Sequence, residues 1–528
     1  MLELKTILSY IIFFIILFTV LSFKNIKSFI KEIKFYFFEF INILKQNFYF
    51  SIIFFFIILE IFLIIRYLYL YGIDGWDTFM YHIPISSRII LEKGMPSFNF
   101  LNSFIPHFFF PKNAEFLFSY FYIFNKSIDF APLFHIIFIF FGVLSIYSIL
   151  RKLNVKREKA LFSFLLFFLP IFPHQSVTGY CDIELNMLFV IFINFLINED
   201  KFSKILALIS LSISTGVKIT PLPCLFIFFL YLIYKFWKKK YLIIISFIIS
   251  TLTSLHFYIF NFINTKNPLY PFHFKIKNLT IFSGTCKTKE FIEPPGWTFN
   301  PILISKRLIE FDSFNEFSYV HDNRSAGFGH LFISTMFYIP ILILIFIQFK
   351  EKNNKMIKML IFILIFYFTQ TYKWWPRFVI FLPFFSFLSY IYLWEKFKQE
   401  NLEAFLITIG ILTFTEGMNS LIFFEPFNFK ESLFIPKFVK NSICNILPYI
   451  DENDKIGIFK ETEKESENFR TIRKLSGYIL KYKFLTRIEY IDEKGINKYD
   501  KIISDQNMNV ENYEILYKDE NLIFWKRK

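Results

Sequence analysis

Long apolar runs alternate with short polar or basic breaks over most of the chain. A spanning α-helix needs roughly 20 apolar residues, with a range of about 17–25. The runs at 5–23, 49–71, 131–150, 160–174, 181–197, 205–218, 220–235, 241–262, 331–349, 359–373, 377–395 and 402–418 approach or meet that length, and they predict about twelve transmembrane helices. The 205–235 stretch also reads as a broken or re-entrant pair, which surrounding protein permits. Asn113–Phe124 is too short to span and reads as a half-helix or an interfacial segment. The first apolar run, Ile7–Phe23, ends in Leu21-Ser22-Phe23-Lys24, without the small residues of a cleavage site, so it is expected to be an uncleaved helix.

The breaks carry the topology. Lys24, Lys27, Lys31, Lys34 and Lys45 fill one; Arg151, Lys152, Lys156, Arg157 and Lys159 another; then come Lys235, Lys238, Lys239 and Lys240, Lys350, Lys352, Lys355 and Lys358, and Lys396 with Lys398. Basic short loops mark the cytoplasmic side. Segments 72–130 and 263–330 then fall on the outer face, and loops this long usually carry function. The N-terminus is outside if 5–23 crosses and cytoplasmic if that run lies in the interface. From about Leu447 the apolar runs shorten. Lys455–Phe459, Arg487–Ile491, Lys501–Ser504, Tyr513–Tyr517 and Asn521–Trp525 read as strands, the last two joined as a hairpin around Asp519-Glu520, and Glu465–Tyr482 as an amphipathic helix. The expected architecture is an all-α polytopic membrane protein over 1–420, with a small soluble α/β domain over 421–528 on the outer face.

Composition agrees: 528 residues, 55% hydrophobic, with 82 phenylalanines and a mean hydropathy of +0.46. The net charge of +15 does not point to nucleic acid, because the basic residues sit between apolar runs and not along one polar face. Cys181, Cys224, Cys286 and Cys444 form no CxxC pair. They read as thiols, with Cys286 and Cys444 the pair that shares the outer face. The chain has no Walker motif, dinucleotide fingerprint or nucleophile elbow.

Ionisable residues at helix mouths are costly and are functional candidates. Asp74, Asp77, His82, Arg88, Glu115, Asp182, Glu184, Lys218, His321, Asp322, Arg324, Lys373 and Arg377 all fall on or near the outer face. Asp77 opens a short helix and reads as an N-cap or as a general base for a hydroxyl; Asp182 has the same two readings. Lys218 and Arg377 read as snorkelling cations or as anion ligands. Asp74, Asp77 and Asp182 are the oxygen donors available to a divalent cation such as Mg or Mn, which requires several.

The order of short motifs resembles a known family. Asp77-Thr78-Phe79-Met80-Tyr81-His82-Ile83-Pro84 is similar to the Asp-x-x-x-Tyr-His-x-Pro motif of bacterial membrane glycosyltransferases related to the protein O-mannosyltransferases and aminoarabinose transferases, within the GT-C superfamily (glycosyltransferase family 39-like). Pro111–Glu115 resembles its Pro-x-x-x-Glu, Tyr180-Cys181-Asp182 its Tyr-x-Asp, Gly216-Val217-Lys218 its Gly-x-Lys, Asn267–Pro271 its Asn-Pro-hydrophobic-Tyr-Pro turn, and Pro376-Arg377-Phe378 its Arg-Phe start of a late span. The resemblance implies a GT-C-like fold in a bacterial cytoplasmic (inner) membrane. It also implies a sugar donor linked to a polyprenyl phosphate, inversion at the anomeric carbon, and a glycan, lipid or protein acceptor. It casts Asp77 as base with Asp182 assisting. Lys218, Arg377 and Arg88 become ligands of the donor phosphate, and Asp74, Tyr81, His82, Glu115, His321 and Arg324 the substrate-binding residues. The first-loop acids stand three apart, not adjacent, which leaves a metal open. An O-antigen-type polymerase or ligase and a lipid-linked glycan flippase are the alternatives.

Overall fold

The computed structural model describes residues 38, 41–75, 77–98, 109–238, 240–276, 279–287, 327–334, 341, 343, 347, 354–370, 375–398, 402–422, 446–451, 454–459, 487–491, 499–504, 513–518 and 523–528. The expectations for 5–23, most of 331–349, His321, Asp322, Arg324, Lys373, the Glu465–Tyr482 helix, the Asp519-Glu520 turn and Cys444 lie outside them.

The first part is helical. Its principal helices are α1 Phe48–Tyr71, α2 Ile83–Leu91, α3 Asn113–Asn125, α4 Leu133–Lys152, α5 Asp182–Leu196, α6 Lys201–Val217, α7 Leu222–Phe236, α8 Lys240–Ser250, α9 His256–Thr265, α10 Asn354–Thr369, α11 Phe381–Phe397 and α12 Leu402–Ile422. Helix α8 runs into α9 through a π-turn, Thr251–Leu255. Among the described residues, three helices are long and apolar enough to cross a membrane: Phe48–Tyr71, Leu133–Lys152 and Ile243–Thr265; Leu222–Phe236 and Met356–Thr369 are shorter apolar helices. Helix α1 turns Phe55, Phe62 and Tyr69 outward, each at least 60% exposed. An apolar face of that extent suits lipid and not water.

One predicted span takes a different form, while the 205–235 stretch keeps the two-helix form read for it. The 160–174 run is a short α-turn at Arg157–Ala160, a 3-10 segment at Leu161–Phe168 and a helical turn at Ile171–Gln175. Pro170 and Pro173 lack the N–H that a continuous ladder needs. Every residue of Leu161–Phe168 is buried, so the run is an internal wall. The 205–235 stretch is two helices, α6 and α7, parted at Lys218–Pro221.

Helix α5 forms the axis of the bundle. Nearly every one of its residues is buried, the polar Asp182, Glu184, Asn186 and Asn194 included, between α4 on one side and α6 on the other. Phe189 stacks on Phe366 of α10 with centroids 3.9 Å apart and meets Phe381 of α11 edge-on at 5.6 Å. These contacts fix the start of α11 against the first half of α5.

A small sheet follows α9: β1 Phe272–Ile276 between β2 Leu279–Phe282 and β3 Cys286–Lys287. Asn267 starts it by accepting from the Leu269 N–H and donating to the Phe272 and Ser283 carbonyls. The second sheet is C-terminal: β4 Lys455–Phe459, β5 Arg487–Ile491, β6 Lys501–Ser504, β7 Tyr513–Lys518 and β8 Ile523–Arg527, in the order β5-β4-β6-β8-β7. The first three are parallel and β8 runs antiparallel to both of its neighbours. The last strand extends to Arg527, two residues past the predicted end, and its Trp525 indole N–H donates to Ser504 Oγ at 2.7 Å.

Candidate active site

The site is made where four distant stretches meet: 73–82, 177–186, Lys218 and 375–381. The first two are stitched by backbone. Helix α1 stops at Gly72, whose φ is +70°, and Asp74 N–H donates to Val177 C=O at 2.9 Å in a parallel bridge with Thr178. Thr78 Oγ1 accepts from Gly179 N–H at 2.8 Å and donates to Asp74 C=O at 2.6 Å. Gly75, at φ +106°, lets the turn close: a Cβ there would stand 2.9 Å from Thr78 Oγ1 and 3.0 Å from the Tyr180 ring. A π-turn, Thr78–His82, then leads into α2.

This stitching places Asp77 opposite the N-terminus of α5. Asp77 precedes the π-turn but its carboxylate makes no capping hydrogen bond. Asp182 is the first residue of α5, and the capping position belongs to Cys181. Both acids instead turn to cations. Arg377 Nη1 lies 3.0 Å from Asp77 Oδ2, and Arg377 Nε lies 3.9 Å from Asp182 Oδ2. Lys218 Nζ pairs with Asp182 Oδ1. Asp182 is 2% exposed at its side chain, Arg377 7%, Lys218 20% and Asp77 22%. The inner acid is sealed under the two cations, while the outer acid and the lysine remain reachable.

The cations are held by aromatic faces. The Arg377 guanidinium lies over Tyr180, Phe378 and Trp375, 4.8–5.5 Å from their centroids, and Lys218 Nζ lies 4.4 Å from the Phe378 centroid. Arg377 itself sits in a one-turn 3-10 segment, Pro376–Phe378, just before α11. Asn186 locks that turn to α5. Its amide donates to Asp182 C=O at 2.7 Å and to Arg377 C=O at 3.4 Å, and its oxygen accepts from Phe381 N–H at 3.2 Å. Sequence reasoning missed Asn186. Its only signal is an amide four residues after Asp182, on the same face of an apolar helix.

Beneath this cluster, His82 Nδ1 and Glu115 Oε1 lie 2.7 Å apart and out of water. Ser86 and Ser119 close the pair, with Ser119 Oγ donating to both Ser86 C=O and Glu115 C=O. Lys112 is buried three residues before Glu115, and burial lowers its pKa to about 8 against the pull of that carboxylate. Burial, reinforced by Asp77, raises the Tyr81 pKa, so the phenol stays protonated and is a hydrogen-bond donor. Arg88 is engaged by Glu92 at 2.5 Å, one turn along α2. A second buried pair, absent from the sequence reading, joins His135 Nε2 to Glu184 Oε1 at 3.0 Å. They are within ion-pair distance but not aligned as a hydrogen bond. Glu184 also faces a cavity of about 430 Å³ lined by Asn113, Phe116, Tyr120, Phe138 and His256.

Among the described residues no group of three or more His, Cys, Asp or Glu side chains is arranged to hold a metal. Asp74 Oδ1 accepts from its neighbour's Gly75 N–H at 2.7 Å, and Asp77 and Asp182 share Arg377. A divalent cation on Asp77 and Asp182 would have to displace the guanidinium, so these three acids do not fit the expected metal site as they stand.

Gly216 sets the position of Lys218. A Cβ there would fall 2.1 Å from Asn113 Nδ2 and 2.7 Å from Thr253 C=O, the two partners that pin α6 against α3 and the π-turn. Gly216→Val is expected to cost about 1–3 kcal/mol by overpacking. Thermal unfolding checks this, with Gly94→Val as a control because nothing lies within 4 Å of its Cβ position.

No protein-family model matches the chain, and no curated protein does. Solved structures similar to the chain include two of one protein. One is ArnT from Cupriavidus metallidurans bound to undecaprenyl phosphate, with a TM-score of 0.47, 9% identity, and 89% of this chain and 97% of that chain covered. The other is the same protein in its apo state, with a TM-score of 0.47, 8% identity and coverages of 89% and 96%. At that identity and TM-score the likeness carries no argument, and the chemistry rests on the chain's own residues.

Proposed function

We propose that the chain is an inverting glycosyltransferase that moves a sugar from a polyprenyl-phosphate lipid to an acceptor hydroxyl at the outer face of a bacterial cytoplasmic membrane. The observation that carries this reading is the Asp77–Arg377–Asp182–Lys218 chain of charges, assembled from four stretches that include the motifs of the family resemblance. The GT-C superfamily is the family intended.

The arrangement suits that reaction. The acceptor oxygen attacks the anomeric carbon, its proton passes to Asp77, and the carbon–oxygen bond to phosphate breaks. The electron pair leaves on the polyprenyl phosphate, where negative charge develops. Fixed cations placed at such a point stabilise the transition state. Lys218 and Arg377 are those cations, and buried Asp182 holds both in place. Arg377 also couples the two halves. Its guanidinium touches Asp77 on one side and Asp182 on the other, so a donor phosphate that draws on Arg377 also acts on the contact to Asp77. The acceptor remains a glycan, lipid or protein bearing a free hydroxyl.

The test is transfer by purified protein in lipid nanodiscs with a panel of polyprenyl-phosphate sugars and a mixture of candidate acceptors. Release of polyprenyl phosphate together with a glycosylated product is expected. Failure to bind or cleave any member of the panel overturns the reading.

A further inference from the structure

A second charged cluster lies at the other end of the α5–α6 pair. Helix α5 spans about 22 Å from Asp182 to Leu196 at 1.5 Å per residue, and α6 returns from Lys201 to Val217, so the α5–α6 turn lies far from Lys218. At that turn three lysines from three helices surround one ring. Lys204 of α6, Lys235 of α7 and Lys358 of α10 place Nζ at 5.4, 5.7 and 5.3 Å from the Tyr231 centroid. Glu199 pairs with Lys235 and reaches Lys358 at 3.4 Å, while Lys204 donates to Leu196 C=O at 2.6 Å. The other acid nearby, Asp200, caps α6 through Ser203 N–H.

The balance is unequal. Three ammonium groups share one carboxylate in contact and one that is occupied as a cap. Lys204 is buried at 1% exposure, and that burial lowers its pKa to about 8 against the pull of Glu199. The Tyr231 hydroxyl is out of water and interacts with the Lys235 ammonium. An anionic oxygen at the exposed rim of the cluster would accept from Lys235 and Lys358, the two partly exposed ammonium groups, with buried Lys204 adding positive charge behind them. Beside the cluster, Phe226, Leu230, Tyr234 and Trp237 form an exposed stripe at helical spacing on α7, from 51% to 85% exposed. Aromatic residues beside lysines at a helix end are the mark of a bilayer interface. The charge selects a phosphate, and the stripe next to it selects a phosphate that carries acyl chains.

We infer that Lys204, Lys235, Lys358 and Tyr231 form a binding site for the phosphate of an anionic membrane phospholipid, whose chains lie along the exposed stripe of α7. The site stands apart from the catalytic cluster and does not depend on the proposed reaction.

Native mass spectrometry of the full chain released from nanodiscs tests this, with phosphatidylglycerol and phosphatidylcholine in equal amounts. Wild type is expected to retain phosphatidylglycerol in preference. Lys235→Gln/Lys358→Gln, at two partly exposed positions, should weaken that retention about thirtyfold, at roughly fivefold for each lysine near a surface. Glu199→Gln, which removes the competing carboxylate, should strengthen it. Lys238→Gln, outside the cluster, should leave it largely unchanged. Equal retention by wild type and the double variant overturns the proposal. So does weaker retention in Glu199→Gln, which would make the cluster a structural ion pair only. A parallel arm titrates inorganic phosphate; if phosphate binds with the same dependence on Lys235 and Lys358 while lipid retention does not respond, the ligand is free phosphate and the lipid assignment falls.

Discussion

Asp77→Asn is expected to slow sugar transfer by about 10²–10⁴-fold, the range lost when a positioned general base is removed, while donor binding changes little. The amide keeps the shape of the carboxylate but takes no proton. Fold stability is expected to change modestly, because the Asp77 carboxylate makes no capping bond to the π-turn that follows it and is the more exposed of the two acids. Single-turnover release of polyprenyl phosphate, measured beside equilibrium binding of the donor lipid, separates the two effects. The pH dependence of the single turnover gives a second readout: the acidic limb, set in wild type by protonation of the base, should disappear in the variant. If the variant keeps wild-type turnover and the same acidic limb, Asp77 is not the base.

Arg377→Ala is expected to have the larger structural effect. Arg377 is buried against Tyr180, Trp375 and Phe378 and touches both acids. Its loss leaves Asp182 with Lys218 as the cation in contact. Breaking a buried pair by removing one partner costs about 3–5 kcal/mol, since the remaining charge stays desolvated; Lys218 keeps the cost toward the lower figure. Turnover should fall by about 10²–10³-fold, as for removal of one donor aimed at a developing negative charge. Arg377→Lys discriminates the two roles. It restores a charge for Asp182 but not the planar fork that reaches two acids, so stability should recover further than turnover. Full recovery of turnover with lysine would show that only the charge matters, and the bridging role assigned here would fail. Thermal unfolding in nanodiscs and the same release assay supply both numbers.

The helical architecture was legible where apolar runs were long and bounded by a polar or glycine break. Phe48–Tyr71 and Leu133–Lys152 follow their predicted runs to within a few residues. Three C-terminal strands, Lys455–Phe459, Arg487–Ile491 and Lys501–Ser504, carry the predicted bounds, because short β-branched runs bounded by charged breaks are a strand signal that needs no tertiary information. The wall at Leu161–Phe168 was not legible. An apolar run reads the same whether it faces lipid or protein, and the prolines at 170 and 173 decide only that it breaks.

The candidate site divides along the same line. Residue type and order alone nominated Asp77, Asp182, Lys218 and Arg377, since charges at helix mouths are costly and stand out against an apolar background. Their pairing was decided by tertiary structure. Asp77 and Asp182 both read as helix caps in the sequence, and a cap is a local matter of three residues. The parallel bridge at Asp74 and Thr178, the closure at Gly75 and the Asn186 clamp bring Arg377 between the two acids across 300 residues of chain from Asp77 to Arg377. Asn186, His135 and the Tyr231 cluster were invisible for the same reason. A lone polar residue in an apolar helix, or a lysine at its end, has no meaning until packing shows what it faces. Sequence determined which groups must avoid lipid and so where chemistry could lie; only the packed chain determined which of those groups share a charge.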